Sequence, residues 1–384
     1  MSQPLPNDAP PSFGRPEAPR WVPAVAPAEP PAEGPGSGAA AGPDAGSGPD
    51  AGSGPDAGSG PDAGSGPDAG SGPDAGSGPD AGSGPDAVAV DPDSDEAASA
   101  PARGALGATG RVFPALPEPA PLATHGPARV LALCNQKGGV GKTTSAINLG
   151  AALTEYGRRV LLVDFDPQGA LSVGLGIPAQ ALDHTIYDAL LEGMPIDDVI
   201  TATRVPGLDL VPSNIGLSAA EMVLVSEVGR EYALARALAP VLPRYDVVLI
   251  DCQPSLGLLT LNALTAADGV LIPLECEYFA LRGVALLQQS IEKVTQRLNP
   301  RLQITGVLAT MYDARTVHGR QVLARLVEAF GDRLFHTVIA RTVKFPETTT
   351  AGEPITTYAP TSTGAAAYRT LAKEVLASSV ISNT

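Results

Sequence analysis

Along the C-terminal two thirds of the chain, short uninterrupted apolar runs alternate with stretches in which apolar side chains recur at helical spacing. The runs cover residues 130–134, 159–163, 208–211, 247–251, 270–274, 304–310 and 337–340. Runs this short and continuous suit strands buried on both faces, and the spacing over 141–156 predicts a helix directly after the first of them. Strands alternating with helices predict an α/β domain over 128–384, a mostly parallel sheet with helices on both faces. Ligands in such a sheet sit beyond the carboxyl ends of the strands.

Upstream of residue 128 the pattern disappears. From Gly42 the hexapeptide Gly-Pro-Asp-Ala-Gly-Ser repeats seven times to Ser83 and stops within an eighth copy at Ala87. Its glycines lie alternately four and two residues apart, which breaks the every-third-residue rule of a collagen helix. With no large apolar side chain in the repeat, burial cannot offset the entropy of ordering it. Residues 1–127 are therefore expected to be a long disordered N-terminal tail, acidic and rich in Pro and Gly, with the repeats at 42–87 acting as a flexible tether. Order is expected to begin near Arg129.

Charge follows the same division. The net charge is −16, and residues 1–127, with 4 basic and 17 acidic side chains, account for 13 of those negative charges. The remainder is nearly neutral and can carry a local basic patch that the whole-chain charge hides. Cys134, Cys252 and Cys276 have no paired metal-ligand spacing, and the four histidines are scattered, so neither set predicts a metal site. An odd number of cysteines fits a reducing cytosol, and the chain is expected to be cytoplasmic. With no basic and apolar leader and no run approaching about 18 apolar residues, no membrane contact is expected.

Candidate chemistry centres on Lys137-Gly138-Gly139-Val140-Gly141-Lys142-Thr143-Thr144, placed at the junction of the first strand and the first helix. Glycines there let backbone N–H groups turn inward around phosphate oxygens, and the helix presents its positive end to the same anion. Lys142 supplies a charge for the β- and γ-phosphates, and Thr143 a hydroxyl for Mg²⁺. The general spacing requires a further glycine five residues before Gly141, where Gln136 stands. After the next strand come Asp164 and Asp166, two carboxylates two residues apart that face the loop if the strand continues. The run 247–251 ends in Asp251, the form of a strand whose acid holds Mg²⁺ through water.

The Lys137 to Thr144 octapeptide resembles the deviant Walker A loop of the MinD and ParA superfamily of P-loop NTPases. Leu161 to Gly169 and Asp251-Cys252-Gln253-Pro254-Ser255 are similar to its two further nucleotide motifs, with Gln253 in place of a proline. The segments around Ser255–Thr260, Cys276–Leu281 and Met311-Tyr312-Asp313-Ala314-Arg315-Thr316 resemble those of chromosomal ParA proteins, and the likeness runs from about Arg129 to Ala377. The resemblance implies a Mg-dependent, slow ATPase in which Lys137 reaches the nucleotide of the partner subunit in an ATP-sandwiched homodimer. It assigns catalysis to Lys137, Lys142 and Asp166, with Asp166 positioning or activating the attacking water and Asp164 supporting the loop and the waters of Mg²⁺. It also implies nonspecific binding of double-stranded DNA on the nucleoid through Arg315, Lys344 and Arg341, with release by a ParB-like centromere-binding partner. Ile339-Ala340-Arg341-Thr342 departs from the family's Ile-Pro-Arg-Asn before Lys344. The C-terminal residues 368–378 carry few cations, unlike the basic amphipathic helix of MinD-like members, so no membrane partner is implied. One other reading stays open from sequence, a nucleotide-switched regulatory or scaffold ATPase controlling replication, condensation-factor recruitment or polar positioning; a ligase-type ATPase such as those amidating cobyrinic acid would need an amidotransferase or small-substrate domain, for which no room is expected after residue 128.

Overall fold

The computed structural model describes residues 104–277 and 280–381; the hexapeptide repeats lie outside the described residues. Eight strands form one sheet: β1 (Arg129–Leu133), β2 (Val160–Phe165), β3 (Thr201–Ala202), β4 (Leu208–Val211), β5 (Val247–Cys252), β6 (Gly269–Glu275), β7 (Gln303–Tyr312) and β8 (Leu334–Ala340). Their order is β3-β4-β2-β5-β1-β6-β7-β8. Every pairing is parallel except β3 with β4. All seven expected runs are strands, within three residues at each end; the antiparallel edge strand β3 was not foreseen.

Burial on both faces explains the uninterrupted runs. Val130, Leu131, Ala132 and Leu133 alternate in direction along β1, yet none is more than 3% exposed. Leu131 and Leu133 join a cluster with Leu149 and Leu153 of helix Lys142–Glu155 and with Tyr368, Leu371 and Val375 of helix Thr363–Ile381. Tyr368 is fully buried there, its hydroxyl 3.2 Å from Ser145 Oγ and its ring edge-on to Phe345. The opposite face is covered by helices Leu258–Ala266, Ala280–Arg297 and Val317–Phe330, which complete the connections β5 to β6, β6 to β7 and β7 to β8.

The described chain begins well before Arg129, near which order was expected to start. Residues 104–127 are described and lie against the domain at many points. Leu106 and Val112 bridge, and Phe113 is buried edge-on to His336. Arg111 donates to the carbonyls of Gly331 (2.9 Å), Leu334 and Phe335 (3.0 Å), capping the start of edge strand β8. Farther on, Arg158 donates to the Ala120 carbonyl at 3.0 Å, and the Asp246 carboxylate accepts from His125 and from the Gly126 N–H. Apart from Phe113 these attachments are polar, made to backbone carbonyls and to the Asp246 carboxylate, so no apolar periodicity announces them. Replacing Arg111 by Ala leaves three carbonyl contacts unmade and is expected to destabilise the domain by about 1–3 kcal/mol, measured as a lower urea midpoint at unchanged slope. A midpoint equal to the wild type would show that the segment rests on the surface without bracing it.

Candidate nucleotide site

β1 runs into the loop 134–141, and the loop is tied down from β6 and β7, on one side of that strand. Asn135, buried, donates from its side-chain amide to the Pro273 carbonyl of β6 at 2.7 Å and accepts the Lys137 N–H at 3.0 Å. Thr310 Oγ1, at the end of β7, donates to the Val140 carbonyl at 3.0 Å, and the Val140 side chain is buried. Gly139 and Gly141 have φ of +73° and +82°, a conformation that a side chain would strain. Gly141 sits at the start of helix Lys142–Glu155, whose first N–H groups carry no side-chain cap. An uncapped helix start with inward-turned amides above it is the cradle expected for phosphate.

Three more groups converge on this loop. Lys142 is 6% exposed and its ammonium donates to the Lys137 carbonyl at 3.2 Å. Thr143 Oγ1 donates to Asp251 Oδ2 at 2.6 Å, joining the helix start to the end of β5. Asp164 lies one strand over, paired in register with Asp251 across β2 and β5. Burial pushes both carboxyls well above the usual range, and for Asp251 the Asp164 charge adds to it while Thr143 and Lys142 oppose it. Asp164 Oδ2 accepts from the Ser172 N–H at 2.9 Å and the Ser172 hydroxyl at 2.7 Å, and Ser172 was not identified from sequence. Asp251 Oδ1 is buried without a hydrogen-bond partner among the described residues. Two buried acids beside one lysine, with a carboxylate oxygen left over, form a hard-oxygen donor set that fits a magnesium ion.

Asp166 follows β2, half-buried at the rim, and its Oδ1 accepts the Gln168 N–H at 2.9 Å. The strand ends at Phe165, so Asp166 belongs to the turn and is more open to solvent than Asp164. Gly138 passes near Pro254, and Thr144 opens onto a cavity of about 370 Å³ beside the loop. That cavity is lined by Gly141, Thr310, Met311, Arg341, Phe345 and Pro346, among others. Met311 has φ of +53°, rare for a residue with a side chain, and sequence offered no sign of it.

Lys137 does not point into the cradle of its own chain. Its ammonium bonds Glu275 Oε2 at 2.8 Å and Glu277 Oε2 at 2.6 Å, and these carboxylates raise its pKa. The candidate DNA-contacting residues gather at the carboxyl ends of β7 and β8. Arg315 is exposed and paired with Asp313 at 2.9 Å; Arg341 is exposed and lies 3.5 Å from Glu275 Oε1; Lys344 opens helix Lys344–Ala351. Arg320 lies nearby, donating to the Ala314 carbonyl at 2.6 Å. Among the described residues no cluster of metal-ligating side chains is found apart from the acids above, and no helix is long and apolar enough to cross a membrane.

Residues 128–304 match the family model described as an AAA domain. The chain is 66% identical over 272 residues to an uncharacterized protein of Mycobacterium tuberculosis, covering 71% of this chain and 86% of that one. It is 49% identical over 249 residues to the sporulation initiation inhibitor protein Soj of Bacillus subtilis, covering 65% of this chain and 98% of Soj. Identity to the chromosome partitioning protein ParA of Caulobacter vibrioides is 48% over 252 residues, covering 65% and 94%. Among solved structures, a cobyrinic acid a,c-diamide synthase of Mycobacterium smegmatis with bound ADP and magnesium is 44% identical, with a TM-score of 0.58 over 65% of this chain and 94% of that one. The cell division ATPase MinD of Pyrococcus furiosus is 27% identical, with a TM-score of 0.55 over 65% and 99%.

Proposed function

The chain belongs to the Soj/ParA family of chromosome-partitioning ATPases, and from that premise we propose that ATP switches it between a free protomer and a DNA-bound homodimer. The observation that carries the reading is the convergence of Lys142, Thr143, Asp251 and Asp164 on one phosphate-shaped loop, with an Asp251 oxygen left unpaired. The backbone of residues 138–142 and the Lys142 ammonium hold the β- and γ-phosphates of ATP, and the cavity beside Thr144 and Met311 receives the base. Thr143 and Asp251 hold magnesium, with Asp164 kept in place behind them by Ser172. Bound magnesium supplies charge neutralisation on the phosphate oxygens. Asp166 orients the attacking water and accepts its proton, and Lys137 completes the site of the facing protomer.

In this reading the dimer presents Arg315, Arg341 and Lys344 of both protomers to DNA phosphates, and a ParB-like partner accelerates hydrolysis and so releases it. Residues 128–384 form the ATPase domain and the acidic N-terminal tail is a tether upstream of it. The test is sedimentation of the protein with duplex DNA in ATP, in ADP and without nucleotide across a salt series. Binding is expected with ATP alone, and Arg315→Glu is expected to weaken it by about tenfold or more and to flatten the salt dependence. ATP-dependent dimers indifferent to DNA would instead favour a nucleotide-switched scaffold. The likeness to the diamide synthase favours a second reading, in which ATP turnover rises with cobyrinic acid and an amide donor and ignores DNA.

A further inference from the structure

Glu275 occupies an unusual position for a carboxylate. It ends β6, is 8% exposed, and its two oxygens are divided between elements of different duty. Oε2 takes the Lys137 ammonium of the phosphate loop at 2.8 Å, and Oε1 faces the Arg341 guanidinium after β8 at 3.5 Å. Glu277, more exposed, holds Lys137 at 2.6 Å, with the Arg341 charge a lesser influence on it. A buried carboxylate left with one fewer cation must draw the remaining one closer or draw in water, because an uncompensated charge there is unfavourable.

We propose that Glu275 and Glu277 hold Lys137 in a parked position on its own protomer, and that Glu275 links departure of Lys137 to the loop bearing Arg341. This rests on the reading above, in which Lys137 acts in trans and Arg341 meets DNA. Before ATP binds, both cations lie against Glu275: Lys137 is unavailable to a second protomer and Arg341 is partly neutralised. Pairing of protomers takes Lys137 away, and water entering beside Glu275 in its place loosens the hold on Arg341 and leaves that guanidinium to phosphate. Glu275 is thus a positioning residue, and the nucleotide and the basic surface are joined through one side chain, not through the sheet.

The two acids make separable forecasts in the full-length protein. Glu277→Gln weakens chiefly the parking of Lys137, so the ATP concentration at half-dimerisation, followed by sedimentation velocity, is expected to fall by about three- to tenfold. Glu275→Gln is expected to lower that midpoint as well and also to raise DNA binding without nucleotide several-fold, since Arg341 loses the carboxylate 3.5 Å from it. Glu277→Gln is expected to leave nucleotide-free DNA binding where it was. If neither variant moves the midpoint while wild type dimerises normally, the parking is wrong and the partition reading survives. Equal DNA binding by both variants without nucleotide would overturn the link to Arg341. Absence of ATP-dependent dimers in the wild type would remove both readings together. Should Glu275→Gln fail to fold, the exposed Glu277→Gln still decides the parking.

Discussion

Lys142→Ala is expected to bind Mg-ATP at least about a hundredfold more weakly than the wild type and to stay monomeric at every ATP concentration tested. The side chain is almost wholly buried, so its ammonium is already desolvated and aimed along the loop, where it donates to the Lys137 carbonyl. Losing a preorganised charge-assisted contact to phosphate costs about 3 kcal/mol, which is roughly two decades in the dissociation constant. The Lys142 charge also acts on Asp251, opposing its burial, so removal of Lys142 leaves that acid with less compensation. Equilibrium dialysis with labelled nucleotide and sedimentation velocity read the two effects separately. An affinity within threefold of the wild type would show that the loop amides alone hold the nucleotide.

Asp166→Ala is expected to behave in the opposite sense. Asp166 stands at the rim in a turn of its own and its carboxylate accepts the Gln168 N–H, so its loss leaves the phosphate loop in place and takes one negative charge away from the buried acids. Removal of a positioned base lowers the chemical step by about 10² to 10⁴, while binding of ATP is kept. The variant should therefore accumulate as an ATP-filled dimer on DNA, whereas Lys142→Ala stays off it. Single-turnover hydrolysis with radiolabelled ATP, run beside DNA sedimentation, distinguishes the two. Two variants that fail alike, both unable to dimerise, would remove the switch.

What sequence disclosed was whatever is local. The octapeptide around Lys142 needs only a strand before it and a helix after it, and both lie within a few residues, so its geometry follows directly from its letters. The buried strands were legible because burial on two faces demands unbroken apolar runs. β3 escaped because two residues are too few to carry a period. The Glu275 pairing escaped for another reason: it acts through a partner set beside it only by the order of the sheet. Lys137 and Glu275 are 138 residues apart, and the adjacency of β1 and β6 alone brings them together. The contacts of residues 104–127 were not legible either, because a Pro- and Ala-rich segment reads as tail even when a single arginine pins it to three carbonyls.

The sheet order also governs when the protein can first work. β1 is made early but lies between β5 and β6, and its loop is shaped by Pro273 and Thr310, far downstream. A ribosome adding about 5–20 residues per second needs on the order of ten seconds to pass from β1 to the end of β6. Through that interval the emerging chain holds a glycine-rich loop with nothing to brace it and apolar strands with no neighbours, the exposure that invites chaperones and misassembly. Nucleotide binding is therefore a property of the nearly finished chain, and a polypeptide halted before β7 would be inert as well as incomplete.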